Sequence, residues 1–109
     1  MALPAPAFAD SSLTWYKFYP DRYAEASFKS YDEVFTVKDH EPDGMSVRVH
    51  WTFRGSSIVQ GSCTNSTGDG TTKTCDYEIA EGRDIRWCLE RWDRDKNHVY
   101  TFECKYDTA

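Results

Sequence analysis

Four cysteines, Cys63, Cys75, Cys88 and Cys104, are the residues whose chemistry the sequence constrains most. None forms a C-x-x-C pair, so a zinc knuckle or a thioredoxin-like motif is not indicated. Cys63 and Cys75 are placed symmetrically about Gly68-Asp69-Gly70, and Cys88 and Cys104 about Asp95-Lys96-Asn97. Each pair is expected to face its partner across a hairpin and to form a disulfide. A short loop closed in this way contributes about 3 kcal/mol in the chain-entropy model. Paired cysteines imply an oxidising compartment and remove the thiol as a nucleophile. The other route to acyl transfer, serine with histidine, has no G-x-S-x-G elbow, and the spacing of His40, His50 and His98 singles out no serine. Asp39-His40-Glu41-Pro42-Asp43-Gly44 gathers three carboxylates and an imidazole in one turn. Such oxygens could hold Ca²⁺, but the EF-hand spacing is missing, and the plainer reading is a solvated β-turn. The 18 acidic residues contain no pair that the sequence marks as a glycosidase acid and base. The chain therefore reads as non-enzymatic, with no cofactor and no metal.

Aromatic residues point to binding instead. Trp15-Tyr16-Lys17-Phe18-Tyr19 holds four aromatics in five positions, with Tyr23 close by. One reading is an edge strand with one face packed on the domain. The other is an extended arm. Trp and Tyr give large, stiff contact area with a polar tip, can stack on sugar rings, and an extended segment can add a strand to a partner's sheet. Trp15, Tyr16, Phe18, Tyr19 and Tyr23 are the expected binding residues. Trp92, beside Arg91 and Asp93 near a hairpin tip, joins them, divided between packing and exposed contact. Trp51 and Trp87 sit in alternating apolar positions and are assigned to the core.

The elements that must position these residues are strands. Apolar residues recur with period two at Ala24, Ala26 and Phe28, at Val47, Val49, Trp51 and Phe53, at Cys75, Tyr77 and Ile79, and at Ile85, Trp87 and Leu89. Val34–Val37, Ile58 toward Cys63, and Val99 to Tyr106 complete the set. Turn residues separate them at Pro42-Asp43-Gly44, Gly55-Ser56-Ser57, Gly68-Asp69-Gly70 and Glu81-Gly82. No stretch of ten residues shows helical spacing with caps. The expected fold is a single antiparallel β-sandwich of about seven short strands with two disulfides, residues 24–109. An extended aromatic arm, 10–23, and a leader or linker, 1–9, precede it. One conflict is internal to this reading. If Cys88 faces Cys104 in an even register, then Ile85, Trp87 and Leu89 share a face with Thr101, Glu103 and Lys105. Trp92, Tyr100, Phe102 and Tyr106 then fall on the disulfide face. A β-bulge, partial cover on both faces, or a different pairing would resolve it.

At 109 residues the chain is one domain. With 39% hydrophobic and 16% aromatic residues it is too apolar for disorder, and no apolar run is long enough to span a membrane. A net charge of −5 is spread over both halves, −3 in residues 1–50 and −2 in 51–109. That balance argues against nucleic acid as a partner. The charges between Arg83 and Asn97, five cations among four anions, read as a solvated strand face. Ala7-Phe8-Ala9 reads as a signal-peptidase site, with Asp10 the first mature residue. Asn65-Ser66-Thr67 is a glycosylation sequon, relevant only in a eukaryotic secretory pathway.

The segments Phe35-Thr36-Val37-Lys38-Asp39, Asp43-Gly44-Met45-Ser46-Val47-Arg48-Val49-His50-Trp51, Gly70-Thr71-Thr72-Lys73-Thr74-Cys75-Asp76-Tyr77 and Ile79-Ala80-Glu81-Gly82, followed by the strand of Cys88, resemble a group of small secreted proteins of Streptomyces and related actinomycetes. The likeness covers about residues 26–109 and implies secretion, a disulfide-linked β-sandwich and the cysteine pairing above. It carries over no catalytic residue. The expected function is that of a secreted interaction module binding another secreted protein, as an inhibitor or an assembly subunit. The alternative is a carbohydrate- or cell-wall-binding domain.

Overall fold

A computed structural model describes residues 10–18, 21–40, 46–66, 70–93 and 95–109. The alternation read from the sequence becomes eight strands: β1 (Asp10–Phe18), β2 (Asp21–Lys29), β3 (Val34–Asp39), β4 (Ser46–Phe53), β5 (Val59–Asn65), β6 (Thr72–Asp76), β7 (Asp84–Asp93) and β8 (His98–Thr108). They form two antiparallel four-stranded sheets, β1-β2-β3-β6 and β5-β4-β7-β8. The chain changes sheet three times, between β3 and β4, β5 and β6, and β6 and β7. Eight strands replace the expected seven because residues 10–18 are hydrogen-bonded to β2 as an edge strand. The segment read as an arm is thus part of the first sheet. Residues 1–9, read from the sequence as a leader or linker, lie outside the described residues.

The core lies between the sheets and is made of the residues that alternate. Ala24, Ala26 and Phe28 from β2 and Phe35 and Val37 from β3 meet Val47, Val49 and Trp51 from β4 and Ile85, Trp87 and Leu89 from β7, all buried. Phe35 makes the central contact, tilted on Phe28 at 4.7 Å and edge-on to Trp87 across the layers at 5.8 Å. Burial of each large side chain contributes about 1.5–3 kcal/mol. Gly61 is required by close approach. A β-carbon there would sit 2.7 Å from Trp51 Nε1 and 2.7 Å from the Tyr77 ring, and Tyr77 donates its hydroxyl to the Ser62 carbonyl at 2.6 Å.

Both open sides of the sandwich are tied. On one, Cys63 of β5 is bonded to Cys75 of β6, so this disulfide joins the two sheets. The pairing is the expected one, but its setting is not a hairpin, because β5 and β6 belong to different layers. Asn65 closes the same seam, donating to Val37 O at 3.2 Å and Thr71 O at 2.8 Å and accepting from Thr71 Oγ1 at 3.0 Å. On the other side Asp107 of β8 accepts from Ser11 of β1 and from Trp87 Nε1, the latter at 2.8 Å.

Cys88 and Cys104 are direct cross-strand partners in β7 and β8 and form the second disulfide. The register conflict is met in two ways: Lys105 and Glu103 still pair with Trp87 and Leu89 but stay exposed or half-exposed on β8, the last strand of its sheet, and a bulge shifts the register beyond them. Leu89 pairs with Glu103 and Glu90 with Thr101, leaving Phe102 as the extra residue. Before the bulge Tyr106 shares the disulfide face. Beyond it Tyr100 pairs with the inward Arg91, and Phe102 stacks on Trp15 across the layers at 5.0 Å. Tyr100 and Phe102 therefore leave the disulfide face on which an even register would have placed them. At the hairpin tip Asn97 takes φ +47°, and Asp93 Oδ1 accepts the amides of Asp95 and Lys96.

Candidate functional site

The aromatic residues singled out from the sequence do not form one surface. Trp15 and Tyr23 turn inward, with ring centroids 5.0 Å apart, and Tyr23 is 6% exposed. Together with Tyr100 they enclose the Arg91 guanidinium, which lies 5.4 Å from Trp15, 5.4 Å from Tyr23 and 4.5 Å from Tyr100. A cation over three ring faces is attracted by their quadrupoles. This cluster, with Phe102, pins β1 to the second sheet. Tyr16 lies on the opposite side of β1 and is 41% exposed. Trp92 is half-buried on the outer face of the second sheet, under the Arg48 guanidinium at 5.7 Å. Tyr19 and the side chain of Phe18 lie outside the described residues.

The outer face of the second sheet carries the densest polar chemistry. Cross-strand pairing sets Arg48 of β4 directly opposite Glu90 of β7, and His50 opposite Cys88. Glu90 is only 2% exposed although it points away from the core. Its Oε1 accepts from Arg48 Nε and lies 3.0 Å from His50 Nδ1. Burial alone would raise the Glu90 pKa. The hydrogen bonds from His50 and Arg48, with their charges, outweigh it and hold the carboxyl below its ordinary value. The Cys88–Cys104 bridge flanks this cluster on the same face. The result is an ionic centre fixed by two strands and a disulfide. Arg48 and His50 are visible in the sequence as polar residues two apart on β4. Glu90 as their partner is not, because nothing local says that β4 and β7 are neighbours.

The outer face of the first sheet is polar. Ser12, Ser27, Thr36 and Thr74 are successive cross-strand partners, and Thr14, Glu25, Lys38 and Thr72 form the next row. A shallow groove of about 240 Å³ runs over Ser12, Thr14, Glu25, Ser27, Thr36 and Lys38. At its end Glu25 Oε2 meets His40 Nε2 at 2.7 Å. Of the turn weighed as a calcium site, Glu41, Pro42, Asp43 and Gly44 lie outside the described residues. Among the described residues no three His, Cys, Asp or Glu side chains group as a metal site. The sequon asparagine is 1% exposed, and its amide nitrogen makes the two hydrogen bonds of the seam. In the folded chain Asn65 is a structural residue.

Neither a family model, a curated protein nor a solved structure matches this chain.

Proposed function

We propose that the protein is a secreted, non-enzymatic interaction module that binds another secreted protein through the outer face of its second sheet. The observation that carries this reading is Glu90, held almost fully buried by Arg48 and His50 on a face that turns away from the core. An ion cluster satisfied in advance, with a half-buried tryptophan stacked beside it, offers a partner a rigid polar centre and an aromatic anchor. Secretion is supported by the two disulfides, which persist in oxidising compartments, and by the Ala7-Phe8-Ala9 motif. With all four cysteines bridged, no thiol is left for nucleophilic chemistry. The resemblance to secreted actinomycete proteins agrees with secretion.

The test uses the oxidised protein as immobilised bait against the culture supernatant of its source organism, with Trp92→Ala and Arg48→Ala baits in parallel. Native near-UV circular dichroism is the check on each variant. The expected result is one stoichiometric protein held by the wild type and lost from both variants. A blank with the wild type, or equal retention by all three, overturns the reading.

A second reading is a carbohydrate-binding domain. The groove over the hydroxyl rows of the first sheet favours it, since hydroxyls, Glu25 and Lys38 together offer the donors and acceptors a sugar ring needs. Binding heat in titration calorimetry with one member of a polysaccharide panel, abolished by Thr36→Val, is the outcome that would support it.

A further inference from the structure

At one end of the sandwich the β2–β3 turn, the β4–β5 turn, the segment between β6 and β7, and the last residue of the chain meet. Tyr77 N donates to Glu33 O at 3.1 Å, Arg54 N to Asp84 O at 3.0 Å, and Gly82 N to Ala109 O at 2.8 Å. This end is divided by charge. On the side of the first sheet stand Asp32, Glu33, Asp76, Glu78 and Glu81. Burial and then the charges of Glu81, Asp32, Asp76 and Glu78 raise the Glu33 pKa, so the five carboxyls share one field. On the side of the second sheet stand Arg54, Arg83 and Arg86, with one carboxylate among them, Asp84, which accepts from Thr108 Oγ1 at 2.8 Å. Arg54 lies over the Tyr106 ring at 4.7 Å and Arg83 over Phe53 at 3.8 Å. Among the described residues none of the three arginines and none of the five carboxylates makes an ion pair.

Beside the arginines the surface is apolar. Ile58 is 68% exposed, Val59 52% and Tyr106 58%. Val59, Thr52, Arg86 and Tyr106 are successive cross-strand partners on the outer face. Thr52, buried within that row, has a hydroxyl with no hydrogen-bond partner among the described residues.

Two patches of opposite predominant sign, side by side at one end, make this surface self-complementary, which is the condition for a two-fold contact between identical chains. Rotation about an axis between them sets each acidic patch on the other copy's arginines. We propose that this end binds a second copy of the chain, with Ile58, Val59 and Tyr106 covered in the contact. This goes beyond the binding of a foreign protein at Glu90 and uses a different part of the surface. A chain of net charge −5 disfavours a nucleic acid at the arginines, and the exposed aliphatic residues favour a protein surface. Most of the patch is exposed charge, so the dimer is sensitive to salt.

Sedimentation equilibrium of the full oxidised protein at about 20 mM and about 500 mM NaCl reads the contact directly, with the dimer constant expected to weaken roughly tenfold or more. Arg54→Glu with Arg83→Glu, and separately Glu78→Arg with Glu81→Arg, should each give a monomer. All four positions are exposed, and near-UV circular dichroism verifies the fold. Mixing the two variants should restore a dimer. A wild type that is monomeric at both salts, a dimer indifferent to salt, or a mixture that stays monomeric overturns the proposal. If the wild type is monomeric while the arginine variant alone loses the partner captured from supernatant, the end serves that partner and self-association is wrong. Loss of capture in Trp92→Ala with an intact dimer separates the two sites.

Discussion

Glu90 shows how much a single side chain can require of its surroundings. A carboxylate 2% exposed on an outward face is stable only because Arg48 and His50 reach the same oxygen. Its pKa lies below the ordinary 4.5, so the ionised form is favoured by folding. The stability it contributes is fully present above the unfolded value and is lost as pH falls through the folded value. Glu90→Gln should therefore cost about 1–3 kcal/mol at neutral pH, and urea titrations from neutral to acid should show the two proteins converging below the ordinary carboxylate range. A constant gap would mean that shape, not charge, matters at this position. Asn65 makes a parallel case without charge. Asn65→Ala removes three hydrogen bonds and leaves the carbonyls of Val37 and Thr71 without that partner, at a cost of about 2–3 kcal/mol in denaturant unfolding.

At the scale of elements, β1 decides what the aromatic segment is for. Trp15 touches Tyr23, Phe102 and Arg91, which come from β2, β8 and β7, so it binds one layer to the other. Trp15→Ala should lower stability by about 2–4 kcal/mol, measured by chemical unfolding. An unchanged midpoint would show that β1 contributes little and would return the segment to the role of an arm. The strands and their inward faces were legible because each carries its own period of two, as in Val47-Val49-Trp51 and Ile85-Trp87-Leu89. Turn symmetry named both disulfide pairs, but its hairpin premise holds only for Cys88–Cys104; Cys63 and Cys75 meet across the layers. Which layer each strand joins was not legible. Local pattern does not encode that β5 and β6 part company after Asn65, or that β3 takes β6 as its neighbour. The same limit hid Glu90 from Arg48, since 42 residues separate them and only the β4–β7 pairing joins them. The conflict of faces had three possible answers, and two operate together: a half-exposed β8 that leaves Glu103 and Lys105 opposite Leu89 and Trp87, and a bulge that turns Phe102 onto Trp15.

At the scale of the molecule, the two disulfides have unequal duties despite similar loops of 12 and 16 residues. In the chain-entropy model each restricts the unfolded chain by a comparable amount, about 3 kcal/mol. In the folded state they differ. Cys88–Cys104 lies within one sheet, between strands already paired along their length. Cys63–Cys75 crosses from sheet to sheet at a seam where Asn65 supplies the other link. The opposite seam is held by Asp107 and the Trp15–Phe102 stack and does not depend on either bridge. Cys63→Ala with Cys75→Ala should therefore open one side only. Hydrogen exchange should accelerate in β5 and β6 while β1, β7 and β8 keep their protection. Cys88→Ala with Cys104→Ala should cost a similar amount in global unfolding but leave exchange in β5 and β6 unchanged. If both double variants exchange alike across all eight strands, the sandwich opens as one cooperative unit. The seam would then have no local stability of its own.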